Sequence, residues 1–192
     1  MTSELQKKWD RRYQQSLSAE PSAAQVLREN RHLLPTTGDA LDLACGRGGN
    51  ALLLAEAGLQ VQAWDISPVA VEALQARALA ERLPLQAEVR DVLAKPPPPA
   101  SFDVIVVSHF LERTLADALC AALRPGGLLF YQTFVRDKVS PQGPGRPEYL
   151  LTENELLSLF AKLRLRVYRE EGCLGDTTQG LRNEALYVGQ KR

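Results

Sequence analysis

The sequence contains few cysteines, and none of them lies near another. Cys45, Cys120 and Cys173 are odd in number and form no C-x-x-C pair. A disulfide framework uses cysteines in pairs and a zinc site uses closely spaced thiols or imidazoles, so neither is indicated. We therefore expect reduced thiols and no bound metal.

Long apolar runs and an excess of charge are also absent. No run approaches the ~20 residues that span a bilayer, and the opening residues MTSELQKKWDRRYQQ are too charged for a signal peptide. Basic and acidic residues number 23 each, giving a formal net charge of +0, which disfavours nucleic acid as a partner. These absences predict a cytoplasmic protein without membrane contact and leave the oligomeric state open.

What is present is the composition of one globular domain. The 192 residues, 45% of them hydrophobic, are enough for one well-buried core and too few for two of ordinary size. We assign residues 1–192 to a single domain. Within it, residues 1–35 are predicted to form an N-terminal cap with helical segments, and residues 36–192 the core.

Strand-like apolar runs alternate with helical patterns as far as residue 134. Helices are predicted from the glycine turn to Ala57, from an N-cap at Ser67, and along an apolar face from Leu111 to Ala122. Such alternation is typical of a parallel sheet covered by helices. The five strand-like runs are LDLA, VQAWD, LQAEV, FDVIVV and LLFYQTF.

The last part of the chain departs from this alternation. Thr152 and Glu155 form a T-x-x-E capping box, which predicts a helix to about Leu163. The runs LRLRVYREE and EALYVGQK follow with no room for a helix between them, so they should pair antiparallel. The predicted fold is a Rossmann-like, seven-stranded, mostly parallel sheet with an antiparallel last strand and helices on both faces.

A glycine-rich turn follows the first strand. Gly46, Gly48 and Ala51 fit the G-x-G-x-x-G/A fingerprint, in which glycines let a nucleotide approach backbone amides at a helix N-terminus. Asp42 precedes this turn inside the strand, and Asp65 ends the next strand at the spacing of an acid that binds ribose hydroxyls. A tight turn beside a solvated strand end is the alternative interpretation.

The turn and several other segments resemble one enzyme family. The sequence is similar to class I S-adenosylmethionine-dependent methyltransferases, and within them to the small-substrate branch that includes tellurite-resistance-type enzymes. The resemblance implies S-adenosyl-L-methionine as the cofactor and a small-molecule acceptor, such as a thiol or a chalcogen oxyanion. It is carried by WDRRY, LDLACGRGGNALLLAEAG, VQAWDIS, LRPGGLLFYQTF and RPEYLLTENELL.

The resemblance also implies roles for individual residues. Asp42 would bind the amino end of the cofactor's methionine moiety, and Asp65 would bind the ribose. Ile66 would pack on the adenine face, with Asp91 and Val92 at the adenine edge, although an ordinary loop role for Asp91 stays open. The other predicted cofactor-binding residues are Ala44, Gly46, Gly48, Asn50 and Ser108.

The acceptor is expected beyond the carboxyl ends of the fourth and fifth strands, at SHFLER and QTF. His109 is the candidate base, because its pKa range suits proton transfer near neutral pH, and Arg113 is a second candidate. His109 as a packing residue at a turn is equally open, since a thiolate acceptor would need no base.

Two segments outside the regular alternation are candidates for a lid. Trp9, Arg12 and Tyr13 lie at helical spacing near the start, and a Pro/Gly-rich loop spans residues 135–147. We expect these segments to meet over the cofactor and to exclude water. Phe134 would line the mouth, Arg146 or Arg12 would face an anionic acceptor, and Tyr149 would brace the loop. A packed helix and a surface loop are the alternative.

Other functions remain open at the level of sequence. An NAD-dependent oxidoreductase could use the same glycines, although Asp42 and the antiparallel ending argue against it. A non-catalytic metabolite-binding or partner-binding module could retain the cofactor pocket. RNA methylation is a further alternative, for which steep salt dependence of binding would be the sign.

Overall fold

A computed structural model describes residues 2–16 and 20–192; residues 1 and 17–19 of the predicted cap lie outside it. Its centre is a seven-stranded sheet of order β3-β2-β1-β4-β5-β7-β6, in which β7 pairs antiparallel with both neighbours. The predicted fold class is confirmed. The strands are β1 Asp39–Leu43, β2 Gln60–Asp65, β3 Leu85–Val89, β4 Phe102–Ser108, β5 Leu123–Phe134, β6 Arg164–Arg169 and β7 Glu184–Gln190.

Side chains of the central strands alternate between two apolar layers. Val104 and Val106 of β4 face one layer, whereas Ile105 and Val107 face the other, and all four are fully buried. A strand covered on both faces reads as a continuous apolar run, which is why FDVIVV is so clear in the sequence.

Helices cover both faces of the sheet. The first layer contains buried residues of α2 (Gln25–Glu29), α3 (Gly49–Glu56) and α4 (Pro68–Glu81), and the second contains those of α5 (Ala116–Ala122) and α6 (Glu155–Leu159). Helix α1 (Thr2–Ser16) packs outside the first layer, against α4. No helix among the described residues is long and apolar enough to cross a membrane.

The fifth strand begins earlier than the sequence predicts. Residues LRPGG were expected to end a helix, but Leu123 already pairs with Phe102, and the register shifts before Val104 pairs with Leu128. At Gly127 an added Cβ would lie 3.1 Å from the Asp103 carbonyl oxygen, so a side chain there would require the irregularly paired strands to shift slightly. The preceding helix is correspondingly short and begins at Ala116, after a 3-10 turn at Arg113–Leu115.

The predicted capping box forms in part. The Glu155 carboxylate accepts from the Thr152 backbone N–H at 2.7 Å, as the motif requires, but the Thr152 hydroxyl donates to the same carboxylate at 3.0 Å. Asn154, with φ 58, is the residue that precedes the helix. The helix ends at Leu159 instead of reaching Leu163, because the chain turns there toward β6.

Candidate cofactor and acceptor sites

The glycine turn lies between the end of β1 and the start of α3. Gly48 has φ 79, and an added Cβ there would lie 2.3 Å from Leu74 Cδ1. At Gly49 an added Cβ would lie 2.3 Å from the backbone carbonyl oxygen of Ser22. Both positions therefore exclude a side chain, one because α4 is close and the other because residues 22–24 cross the start of α3.

Asp42 is fully buried beneath this turn. Its carboxylate accepts from the Ala51 backbone N–H at 3.0 Å and from Asn50 Nδ2 at 3.3 Å. Burial raises the pKa of Asp42 to about 7, although these two hydrogen bonds act in the opposite direction. A nearby ligand cation would stabilise the charged form further. The sequence-based role of Asp42 toward the cofactor's amino group stays a prediction.

Asp65 lies at the end of β2 and is also buried. One carboxylate oxygen accepts from the Gly46 backbone N–H at 2.8 Å, and the other accepts from the Ser67 backbone N–H at 2.9 Å. Burial raises the pKa of Asp65 against these hydrogen bonds. Asp65 therefore fixes the glycine turn directly, whatever it binds in addition.

Helix α1 places an aromatic side chain on this carboxylate. The Tyr13 hydroxyl hydrogen-bonds Asp65, and an added Cβ at Gly46 would lie 3.0 Å from the Tyr13 hydroxyl oxygen. Asp10, one turn earlier, accepts from the Ser67 hydroxyl. Tyr13 thus lies where the resemblance to methyltransferases places the cofactor ribose.

Asn50 links the glycine turn to the end of β4. Its Nδ2 donates to the Ser108 hydroxyl at 2.9 Å, and its Oδ1 accepts from the Ala24 backbone N–H at 2.8 Å. Gln132 of β5 binds the same segment, because its Oε1 accepts from the Val26 backbone N–H at 2.7 Å. These two amides hold residues 22–26 across the carboxyl ends of the strands.

The residues predicted for the adenine differ in their exposure. Val92 is buried, whereas Ile66 and Asp91 are partly exposed. Asp91 accepts from the backbone N–H groups of Leu93 at 3.0 Å and Ala94 at 3.3 Å. This turn gives Asp91 a structural role, and a contact of these residues with adenine stays a prediction. Ala44, at the end of β1, has a left-handed backbone with φ 56.

A cavity of about 370 Å³ opens beyond the ends of β4, β5 and β7. Ser108 lines the cavity and accepts a hydrogen bond from Asn50, beside the glycine turn. Residues 22–25 line another wall of the cavity. Most of its lining is polar, so it suits a hydrophilic molecule better than an apolar one. The polar lining residues are Ser22, Gln25, Arg28, Ser108, His109, Gln132, Gln142, Arg182, Asn183 and Glu184.

His109 lies in the wall of this cavity with a partner that the sequence analysis missed. Its Nε2 is 3.1 Å from Glu184 Oε1, and Gln132 Nε2 donates to the second carboxylate oxygen. Glu184 follows His109 by 75 residues. No local motif joins them; only the pairing of β7 beside β5 does so.

Arg113, the second catalytic candidate, is engaged elsewhere. It forms a bidentate ion pair with Glu155, with contacts of 2.5 and 3.1 Å, and donates to the carbonyls of Glu148 at 2.8 Å and Leu150 at 3.0 Å. It is absent from the cavity lining. These contacts explain Arg113 as a residue that anchors the start of α6, and a catalytic role stays an untested prediction.

The two candidate lid segments lie on different sides of the site. Trp9 stacks on Tyr13 with ring centroids 5.7 Å apart, and the Arg12 guanidinium lies 5.4 Å from the Trp9 ring. The loop of residues 135–147 instead covers Phe134, which an added Cβ at Gly143 would contact at 2.5 Å. Closure of the two segments over a cofactor stays a prediction.

Two predicted lid residues near the end of that loop are exposed. Arg146 lies 3.7 Å from Glu148, and Tyr149 donates its backbone N–H to the Arg146 carbonyl. Their predicted roles, toward an anionic acceptor and in bracing the loop, are likewise untested.

The comparisons with known proteins agree with this geometry. Residues 40–127, from β1 into β5, match the family described as "Methyltransferase domain". Residues 40–127 therefore resemble a methyltransferase domain, as the sequence predicts. This match agrees with the family that the sequence resemblance indicates. TehB from Haemophilus influenzae has a similar fold, with a TM-score of 0.72 and 20% identity, over 96% of this chain and 67% of that one.

Two relatives are more similar in sequence. The "Ribosomal protein L11 methyltransferase" of Dechloromonas aromatica (strain RCB) is 39% identical over 102 residues, which are 52% of this chain and 33% of that protein. "Hemagglutinin 1" of Eikenella corrodens is 35% identical over 139 residues, 68% of this chain and 45% of that protein. The chain thus spans less than half the length of either relative.

Proposed function

We propose that this protein transfers a methyl group from S-adenosylmethionine to a small polar acceptor. The observation that carries the proposal is the position of the 370 Å³ polar cavity. It adjoins the glycine turn through the Asn50 and Ser108 hydrogen bond. A cofactor on the turn and an acceptor in the cavity would therefore be neighbours, as a direct transfer requires.

The residues at the turn fit S-adenosylmethionine chemically. Asp42 offers a buried carboxylate that accepts hydrogen bonds from two neutral groups, the Asn50 amide and the Ala51 backbone N–H, and the cofactor carries an ammonium group that can bind it. Asp65 can accept further hydrogen bonds, because each carboxylate oxygen has two lone-pair positions. Ribose hydroxyls could use them once the Tyr13 hydroxyl moves aside.

When bound, the cofactor supplies an electrophilic methyl carbon whose bond to sulfur breaks with both electrons remaining on sulfur. The residues of the chain contribute by positioning the reacting groups. Residues 22–26, held by Asn50 and Gln132, contact the start of α3 at Gly49, and residues 22–25 of this segment line the cavity. Ser108 lies between the glycine turn and the cavity. Holding the reacting groups in line can contribute up to about 7–11 kcal/mol to the lowering of the barrier.

A small acceptor is favoured by the size of the cavity and by the charge of the protein. The volume is at the lower end of the about 300–1,000 Å³ typical of small-molecule sites. The formal net charge of +0 gives no general attraction to RNA. One relative is named for methylation of a ribosomal protein, so a protein acceptor is the second candidate.

The proposal is tested by release of S-adenosylhomocysteine. Purified protein and S-adenosylmethionine are incubated with small hydroxyl compounds, thiols and oxyanions, and in parallel with ribosomal protein and total RNA. We expect turnover with a member of the small-molecule panel only. Turnover confined to ribosomal protein or RNA would overturn the proposed acceptor class, and binding of NAD without binding of S-adenosylmethionine would overturn the methyltransferase proposal itself.

A further inference from the structure

The His109 side chain is fixed against the cavity wall from several directions. Its ring centroid lies 5.0 Å from that of Phe134, and its backbone N–H donates to the Gln132 carbonyl at 2.8 Å. The backbone is left-handed, with φ 54, which is uncommon for residues other than glycine and is found where surrounding contacts enforce it. The imidazole is thus held in place before any ligand binds.

Glu184 determines which imidazole nitrogen carries the proton. Burial alone would raise the pKa of Glu184, but hydrogen bonds from His109 and Gln132 outweigh it and lower the pKa. Glu184 is therefore a carboxylate at neutral pH and can only accept hydrogen bonds. Because Nε2 is the nitrogen facing Glu184, Nε2 carries the proton and Nδ1 keeps its lone pair.

The charges around the imidazole act in opposite directions. Arg28 of α2 and Arg182 of the loop before β7 line the same cavity and oppose an imidazolium. Arg182 is held by the carbonyls of residues 172, 174 and 176, and Arg28 donates to the Ala23 carbonyl. The Glu184 carboxylate favours the imidazolium and is in direct contact at 3.1 Å. It is the partner that would stabilise a transferred proton.

We infer that His109 is the general base of the proposed methyl transfer, that Glu184 is its positioning residue, and that the acceptor is a small polar hydroxyl compound. This inference rests on the proposed function. The hydroxyl O–H bond breaks, its proton goes to Nδ1 of His109, and the oxygen electron pair forms the new bond to the methyl carbon. A hydroxyl benefits most from such a base, because a thiol is already in part a thiolate near neutral pH.

The first test needs no acceptor. The chain has two histidines, His32 and His109, so the imidazole ¹⁵N resonances of the full-length protein can be assigned with a His32→Gln variant. We expect the Nε2–H tautomer for His109 and loss of this fixed state in Glu184→Gln. A His109 ring protonated at Nδ1, or unchanged by Glu184→Gln, would overturn the assignment.

The second test uses catechol, a panel of simple alcohols, and 2-mercaptoethanol as the thiol comparison. We expect transfer to a hydroxyl compound, a loss of about 100-fold or more in His109→Gln, and no loss in His32→Gln. In Glu184→Gln the rate with the hydroxyl compound should fall while the rate with 2-mercaptoethanol falls less, because only the hydroxyl depends on the oriented base. A purely structural Glu184 would lower both rates equally, which would overturn its positioning role.

Calorimetry separates this inference from the proposed function. S-adenosylhomocysteine should bind wild type, His109→Gln and Glu184→Gln within about twofold, because neither residue contacts the glycine turn. Normal cofactor binding with methyl transfer only to the thiol would overturn the assignment of His109 as the general base. Turnover in His109→Gln equal to that of the wild type would overturn it as well. Absence of cofactor binding in the wild type would instead overturn the proposed function.

Discussion

The Tyr13 hydroxyl hydrogen-bonds the Asp65 carboxylate and lies over the glycine turn. A residue of α1 therefore uses the same carboxylate that a cofactor ribose is predicted to use. Both cannot occupy one lone-pair position of Asp65 at once. If the ribose displaces the phenol, the free energy of the Tyr13 contact is subtracted from that of cofactor binding.

Replacing Tyr13 by Phe should consequently tighten the binding of S-adenosylhomocysteine. A hydrogen bond to a charged group contributes about 1.5–3 kcal/mol, and partial replacement by water in the free variant reduces the gain, so we expect about a 3- to 10-fold lower Kd. Isothermal titration calorimetry measures it, with the exposed Tyr149→Phe as the control. Weaker binding would show that the Tyr13 hydroxyl contacts the bound cofactor instead of competing with it.

Asp42 should make the stability of the ligand-free protein depend on pH. Its pKa rises from an ordinary 3.8 to about 7 on folding. Between these values the folded state holds a proton that the unfolded chain has lost, so the contribution of Asp42 to stability falls as pH rises through this range.

The variant Asp42→Asn removes this titration. Urea unfolding is measured for both proteins at about pH 5 and about pH 8. Relative to the wild type, the free energy of unfolding of the variant should be on the order of 1–3 kcal/mol higher at about pH 8 than at about pH 5. Asp117→Asn, an exposed acid paired with Lys162, serves as the control. A difference between variant and wild type that is the same at both pH values would contradict the raised pKa.

Removal of residues 1–18 should separate folding from catalysis. The first apolar layer begins at Ala23 in the sequence and the second at Leu41, so the core keeps its buried residues and unfolding should remain cooperative. If α1 closes the cofactor site, methyl transfer should fall by at least about 10-fold while S-adenosylhomocysteine affinity does not fall. Normal transfer by the truncated protein, measured with the same acceptor, would mean that α1 is not a lid.

The fold could be predicted because its signals are local. Buried strands read as apolar runs, and Ser67 followed by Pro68 marks the start of α4, where the Ser67 hydroxyl accepts from the Ala70 backbone N–H. The start of β5 could not be predicted, because Leu123 and its Pro/Gly neighbours have the chemistry of a turn. They join the sheet through irregular pairing with β4, which is a tertiary interaction.

The two halves of the candidate site differ in how well the sequence predicts them, because only one half has local sequence signals. Asp42 and Asp65 could be found from their spacing around the glycine turn, and His109 and Gln132 from their places after apolar strands. Glu184 could not, because it begins the last strand and meets His109 only through the order of the sheet. The segment of residues 22–25, which lines the cavity, has no periodic pattern of apolar residues. Long-range hydrogen bonds with Asn50 and Gln132 position it.

The measurement that tests the account most directly is a calorimetric titration of S-adenosylhomocysteine and of NAD into wild type and Asp65→Ala, with Asp117→Ala as the folded control. We predict that S-adenosylhomocysteine binds the wild type and the control and that NAD does not bind. Removal of the charged acceptor in Asp65→Ala should weaken binding by about 1.5–3 kcal/mol. NAD binding without S-adenosylhomocysteine binding, or an unchanged Kd in a folded Asp65→Ala protein, would contradict it.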